Sequence, residues 1–336
     1  MSAPDVAVIG AGAWGTALAC LLASRGKPVR LWAYEPEVAE CIAQRRENSH
    51  YLAGYYVPED VEATSNLAVA VAGVERLILA APVRAVRTIL EQLEPHLPTG
   101  ARLLSVTKGI DPKSLYTPSQ TVHEIIPRLS ERYAALSGPS FAIEVARQIP
   151  TAVVVAAHRR GVAQEFIELL TTSYFNLEPS DDVLGIELAG AVKNVIAIAA
   201  GVIDGLELGT NTRAALLTRG LADMTRLGAA IGASAHTFSG LAGIGDLVLT
   251  CTSNTSRNHA VGMRLARGER LDDIVRSMAA IAEGVQTTQA AMQLGDRFQV
   301  ELPIIRAVSR MLFDGEDAKA IIYELLAADQ PRRSKV

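Results

Sequence analysis

The stretch VAVIGAGAWGTALA, residues 6–19, narrows the possible folds more than any other part of the sequence. A short apolar run is followed by Gly10, Gly12 and Gly15 and then by an apolar stretch with helical spacing. Gly10 permits a tight turn out of a strand, Gly12 leaves the main chain bare, and Gly15 lets the following helix press against the strand. A strand feeding a helix in this way is the first half of a βαβ unit, whose strands pair in parallel.

The runs PVRLWAY, RLILAAP, ARLLSVT, AALSG and TAVVVAA continue the pattern, each followed by a helical segment. Several are apolar along their whole length, as strands covered by helices on both faces are. From about Gly185 onward almost only helix-period segments remain, joined by glycine-rich turns. The spacing therefore predicts a Rossmann-like, doubly wound α/β domain with a parallel sheet over residues 1–185. An all-α domain is expected over 186–330, with a frayed tail over 331–336.

With 336 residues, 49% of them hydrophobic, the chain can bury a core in each domain. A formal charge of -4 gives no field for nucleic acid or an anionic membrane. Cys20, Cys41 and Cys251 are scattered and the six histidines stand in no ligand spacing, which argues against a metal site. The same cysteine usage fits a reducing, cytoplasmic setting. No secretory leader is read at the start, and the apolar run after Asn194 ends at Asp204, so no transmembrane segment is expected.

A helix entered through Gly10-x-Gly12-x-x-Gly15 offers N–H groups and a partial positive charge to a pyrophosphate. Glu35 follows about 20 residues later, where a carboxylate meets ribose hydroxyls. The acid favours NAD, whereas Arg45 and Arg46 are near enough in sequence to reach a 2'-phosphate, so NAD and NADP both stay open. A nicotinamide cofactor implies hydride transfer, and a carbonyl receiving hydride needs a proton or fixed cation at its oxygen.

Candidates for that work lie in four further places. SVTKG puts Lys108 beyond a strand, and SGPSFA turns through Gly138 into a helix entered at Ser140. GLAGIGDLVLTCTSNTSRN carries Asp246, Thr250, Ser256, Arg257 and Asn258, and AEG carries Glu283. ELAGAVKNVIAIAAGVIDGL sets Lys193 and Asn194 in an otherwise apolar helix, where an unpaired ammonium costs several kcal/mol. Each also has a plain structural explanation: a surface lysine, Ser140 as a helix cap, a glycine-rich linker, or a lysine snorkelling past small residues to water.

Together, in this order and spacing, GAGAWGTALA, SVTKG, SGPSFA, GAVKNVIAIAAG, GLAGIGDLVLTCTS and SRN closely resemble glycerol-3-phosphate dehydrogenase of the bacterial NAD(P)-dependent type. The resemblance runs from about residue 5 to about residue 325. It implies reversible reduction of dihydroxyacetone phosphate to sn-glycerol 3-phosphate, a precursor of phospholipids, by a cytoplasmic homodimer. By matching positions it makes Lys193 the proton-transferring residue. It sets Lys108, Gly138, Ser140, Asn194, Asp246, Thr250, Ser256, Arg257 and Asn258 around the substrate. It places Ala13, Trp14, Tyr34, Lys108, Ala142, Arg257, Ile281 and Glu283 near the cofactor, beside Gly10, Gly12, Gly15 and Glu35.

Two residues depart from the family pattern: Ala13 stands where many relatives have serine, and Tyr34 occupies a position that varies. A related dehydrogenase acting on a 3-hydroxy acid or ketopantoate is the neighbouring alternative. A non-catalytic NAD(P)H sensor is the alternative from another class, and the complete set of Lys193, Asp246 and Arg257 speaks against it.

Overall fold

The computed structural model describes residues 4–278 and 282–327, so the expectations for Ile281 and the tail lie outside the described residues. In chain order the strands are β1 (Val6–Ile9), β2 (Val29–Trp32), β3 (Glu47–Asn48), β4 (Leu52–Tyr56), β5 (Val61–Thr64) and β6 (Arg76–Leu79). They are followed by β7 (Arg102–Ser105), β8 (Tyr133–Ser137), β9 (Thr151–Ala156) and β10 (Phe175–Ser180). Eight form one sheet in the order β10-β9-β8-β7-β6-β1-β2-β5, while β3 and β4 make a separate antiparallel ribbon.

The helices among them are α1 (Ala13–Ser24), α2 (Pro36–Arg45), α3 (Leu67–Val71), α4 (Val83–Leu93), α5 (Pro118–Ile125), α6 (Ala142–Ala146) and α7 (Arg160–Leu170). Every residue of β1 is buried, as expected of a central strand with both faces covered. From β1 the chain builds outward through β2 to β5, then crosses back to lay β6, β7 and β8 on the other side. That reversal opens a crevice at the carboxyl ends of β1 and β6, the place where such sheets bind ligands.

The sheet is not parallel throughout: β9 runs antiparallel to β8, and β10 follows β9. The link from β8 to β9 carries only the five-residue α6, which packs on α1 and makes no crossover across the sheet. Ser140 does not cap this helix, contrary to expectation: α6 begins at Ala142 behind Phe141, and the Ser140 hydroxyl donates to the Gly138 carbonyl at 3.0 Å.

By backbone contacts the chain divides into two compact units, Met1–Lys108 with Tyr116–Glu187, and Gly109–Leu115 with Leu188–Val336. The short segment Gly109–Leu115 thus groups with the second unit, although sequence order alone sets it in the first. After α8 (Val183–Gly205) come α9 (Gly209–Ile231), α10 (Asp246–Thr252), α11 (Arg257–Ala266), α12 (Leu271–Ser277), α13 (Glu283–Phe298), α14 (Pro303–Ser309) and α15 (Ala318–Ala327).

The start of α8 is fixed by the Asp182 carboxylate, which accepts the N–H of Gly185 at 2.9 Å. Glu187, one turn on, accepts from Ser119 and from the Tyr133 hydroxyl, and burial raises its carboxyl above the usual range. Among the described residues α8 is the one helix long and apolar enough to cross a membrane. Its most apolar 18-residue window is 100% buried within the protein, the packing of a core helix.

Asp223 of α9 shows how such a core handles a carboxylate. It accepts the N–H of Ile304 at 2.8 Å and of Ile305 at 3.3 Å at the start of α14, and pairs with Arg226. Burial pushes its carboxyl up from 3.8 to about 6, against those bonds. A folded-state pKa above the unfolded one stabilises fully below the lower value and loses that contribution as pH rises through the higher. Asp223→Asn is therefore expected to flatten the fall in thermal midpoint between about pH 4 and about pH 7. A midpoint curve that keeps its slope in the variant would contradict this.

Candidate active site

In the first unit the glycine turn has the three properties its spacing predicts. Gly10 sits at φ 118°, and a Cβ there would lie 2.6 Å from the Ala80 carbonyl oxygen. A Cβ on Gly15 would lie 1.9 Å from the Gly10 oxygen, so helix and strand meet main chain to main chain. Gly12, by contrast, has nothing within 4 Å of that position, and it caps α1 without any side-chain hydrogen bond. Open space before an uncapped 12-residue helix fits a pyrophosphate, and Ala13 takes nothing from the main-chain N–H groups that would bind it.

Trp14 packs edge-on against Phe175 at 6.2 Å, with its indole nitrogen buried and unpartnered. Past the ends of β2 and β5 lies an open surface groove lined by Trp32, Tyr34, Ser65, Asn66, Gln92 and His96. Tyr34 is 77% exposed and meets Trp32 edge-on. Glu35 accepts the Tyr51 hydroxyl at 3.0 Å. Arg46 is not at hand for a 2'-phosphate: its guanidinium donates to the carbonyls of Val57 and Val61, each at 3.0 Å.

Lys108, Gly138 and Ser140 come together, because the Gly138 carbonyl accepts both Lys108 Nζ and the Ser140 hydroxyl at 3.0 Å. Ala142 opens α6 a short distance along.

The second unit gathers the remaining candidates around α8. Lys193 is 6% exposed, and its Nζ donates to the Asp246 carboxylate and, at 2.7 Å, to the Thr250 hydroxyl. Asp246 opens α10 and Thr250 lies one turn on, where its hydroxyl also donates to the Asp246 carbonyl at 2.7 Å. The lysine thus has the partners that its apolar surroundings require, Asp246 and Thr250. Cys251, next in the chain, is kept a protonated thiol by burial, which pushes it well above its usual value.

Asn194 bridges away from this cluster. Its Oδ1 accepts from Asn258 Nδ2 at 2.9 Å, and Asn258 Oδ1 accepts the Gly284 N–H at 2.9 Å, one residue past Glu283 at the head of α13. Asn258 is therefore a brace among α8, α11 and α13. Ser256 caps α11, accepting the His259 N–H at 3.3 Å, which leaves Arg257, first in the helix and exposed, as the group presented outward.

Three features had no place in the sequence expectations. His259 Nε2 lies 2.8 Å from Asp204, which also pairs with Arg213 at 2.9 Å, tying α11 to the far end of α8 and to α9. Alongside, a Cβ on Gly201 would lie 2.0 Å from the His259 carbonyl oxygen, and one on Gly262 would lie 1.9 Å from that of Ile198. Asn48, fully buried, hydrogen-bonds the glycine turn. His259 and Asn48 carry no period or motif that marks them before the fold is known.

Among the described residues no group of three or more His, Cys, Asp or Glu is arranged to hold a metal ion. A glycine turn with open space before its helix, on a sheet of this order, and a lysine buried against an aspartate in the second unit fit the class of NAD(P)-dependent oxidoreductases. Comparison with known proteins narrows the class. Residues 5–163 match the family model for the NAD-dependent glycerol-3-phosphate dehydrogenase N-terminus, and residues 182–323 match that for its C-terminus. The chain belongs to the NAD-dependent glycerol-3-phosphate dehydrogenase family.

It is 49% identical over 327 residues to glycerol-3-phosphate dehydrogenase [NAD(P)+] of Geobacter sp. (strain M21), covering 96% of this chain and 97% of that one. The crystal structure of glycerol-3-phosphate dehydrogenase from Coxiella burnetii superimposes with a TM-score of 0.93 at 37% identity, over 96% of this chain and 99% of that one. A ketopantoate reductase from Ralstonia eutropha reaches a TM-score of 0.60 at 16% identity over 96% and 99% of the chains, a likeness of fold alone.

Proposed function

We infer that this chain is an NAD(P)-dependent glycerol-3-phosphate dehydrogenase, interconverting dihydroxyacetone phosphate and sn-glycerol 3-phosphate. The observation that carries the reading is the buried Lys193, Asp246 and Thr250 cluster, in a chain 49% identical to a relative bearing that name. A reduced nicotinamide, held at the Gly10-to-Gly15 turn with Trp14, Tyr34 and Glu35 nearby, supplies the hydride when bound.

The rest falls to the chain's own residues. Lys193 gives a proton from Nζ to the C2 oxygen as negative charge builds there, and takes it back in the reverse direction. Asp246 and Thr250 hold Nζ in place for both steps. Arg257 binds two oxygens of the phosphate through the N–H groups of its planar fork, helped by N–H groups in the first turn of α11. Lys108, Gly138 and Ser140 supply further donors and main chain to the substrate, while Asn194, Ser256 and Asn258 keep α11 in register. Lys108, Ala142, Arg257 and Glu283 are assigned to positions near the cofactor.

We further propose a homodimer in a reducing, cytoplasmic setting, feeding phospholipid synthesis; the three free cysteines are compatible with that compartment. Consumption of NADH and of NADPH by the purified protein, each with dihydroxyacetone phosphate, tests the central reading. Turnover of ketopantoate instead would replace it. In the same assay Arg257→Ala is expected to raise KM for dihydroxyacetone phosphate by roughly 100-fold with a smaller change in kcat. An unchanged KM would remove Arg257 from the phosphate site.

A further inference from the structure

The ribbon of β3 and β4 lies outside every motif of the chain, yet two of its side chains reach the dinucleotide-binding machinery. Asn48 Nδ2 donates to the Ala11 carbonyl and to the Thr16 hydroxyl, each at 2.8 Å, and its Oδ1 accepts the Tyr51 N–H at 3.2 Å. Ala11 lies between Gly10 and Gly12, and Thr16 lies in the first turns of α1, so one amide ties both limbs of the glycine turn together. Both Asn48 and Thr16 are 0% exposed. Two donors and one acceptor are needed at this spot; a carboxylate there would face the Ala11 carbonyl with no proton to give. An apolar side chain would strand a buried carbonyl.

From the same ribbon turn the Tyr51 hydroxyl donates to Glu35 Oε1 at 3.0 Å, fixing the carboxylate beyond the end of β2. A 2'-phosphate on the adenosine ribose would meet that negative charge. Arg46 does not offset it, because its guanidinium is held by the carbonyls of Val57 and Val61, and Arg45 lies at the far end of α2, nine residues after the helix start that follows Glu35.

We propose that the β3–β4 ribbon is a positioning element for the cofactor: Asn48 fixes the glycine turn in its pyrophosphate-binding shape, and Tyr51 aims Glu35 so that NADH is preferred to NADPH. The proposal rests on the dinucleotide reading but not on the identity of the second substrate.

The chain's two tryptophans, Trp14 and Trp32, both lie in this region, so quenching of their fluorescence reports binding without turnover. Titration of the full chain should give an affinity for NADH roughly tenfold or more above that for NADPH. Asn48→Ala should weaken both cofactors by roughly tenfold and leave their ratio in place. Tyr51→Phe, which removes one oxygen, should lower the NADH-to-NADPH ratio several-fold at an unchanged thermal midpoint.

An Asn48→Ala protein that folds and binds NADH as tightly as the wild type overturns the role of Asn48. A wild type that binds NADPH as tightly as NADH, or a ratio unmoved by Tyr51→Phe, overturns the role of Tyr51. If Asn48→Ala does not fold, Thr16→Ala, which removes one of the two acceptors of the Asn48 amide, takes its place, and unchanged affinity for both cofactors overturns the role of Asn48. A wild type that binds neither cofactor refutes the dinucleotide reading itself, and the ribbon's role with it.

Discussion

Lys193→Ala is expected to lower kcat by roughly 100- to 10,000-fold, the usual worth of a positioned proton donor, with NADH binding retained. The expectation follows from where the lysine is held. Its Nζ is bonded to Asp246 and Thr250 inside the protein, so no exposed neighbour on α8 is set to replace it. Its loss also takes an ion-pair partner from the Asp246 carboxylate, which is 0% exposed, and breaking such a pair costs about 3–5 kcal/mol. Stability and turnover must therefore be read separately. The double variant Lys193→Met with Asp246→Leu removes both charges and should regain most of the lost stability while staying inactive. Turnover by Lys193→Ala within about tenfold of the wild type would exclude the assigned role.

Gly262→Ala is expected to destabilise the protein by about 3 kcal/mol or more, lowering its thermal midpoint by roughly 6–12 °C. The added methyl would sit 1.9 Å from the Ile198 carbonyl oxygen and 2.8 Å from the Val202 nitrogen, both main chain, so no side-chain rotation relieves the clash. Gly201 poses the same problem from the other helix, and at Gly205 a Cβ would lie 2.6 Å from that of Ala266. Gly161 is the control: a Cβ there meets nothing within 4 Å, and it lies in the first turn of α7. Gly161→Ala should leave the midpoint unchanged or raise it slightly. Equal midpoints for the Gly262 and Gly161 variants would mean that the two helices separate easily.

The glycine turn was legible because each glycine is demanded by a different local constraint, and those constraints act between near neighbours in sequence. The lysine of α8 was legible as an anomaly, since nothing else in its apolar surroundings is charged until Asp204. Its partner was only half legible. Asp246 stood out after a glycine cluster, but that Nζ would also meet Thr250 depends on how α10 lies against α8, which no spacing encodes. Of the two readings of Ser140, the helix cap fails for a related reason: a serine caps only the helix that begins just after it, and α6 begins one residue further on, behind Phe141. The reversal of β9 escaped notice because strand direction leaves no mark in the residue pattern, and β10, a partly exposed edge strand, was not among the expected strands. Asn48, Tyr51 and His259 were invisible, each acting across a fold-dependent gap on a partner distant in sequence.

The seam between α8 and α11 has a consequence for selection among substrates. Lys193 stands on one helix and Arg257 on the other, and where the helices cross, bare main chain abuts bare main chain with no side chain to give way. The backbones that carry the proposed proton donor and the proposed phosphate grip are thereby held at a fixed spacing. With those two roles, the helix seam would act as a gauge, selecting a molecule by its length as well as by the chemistry of its two ends.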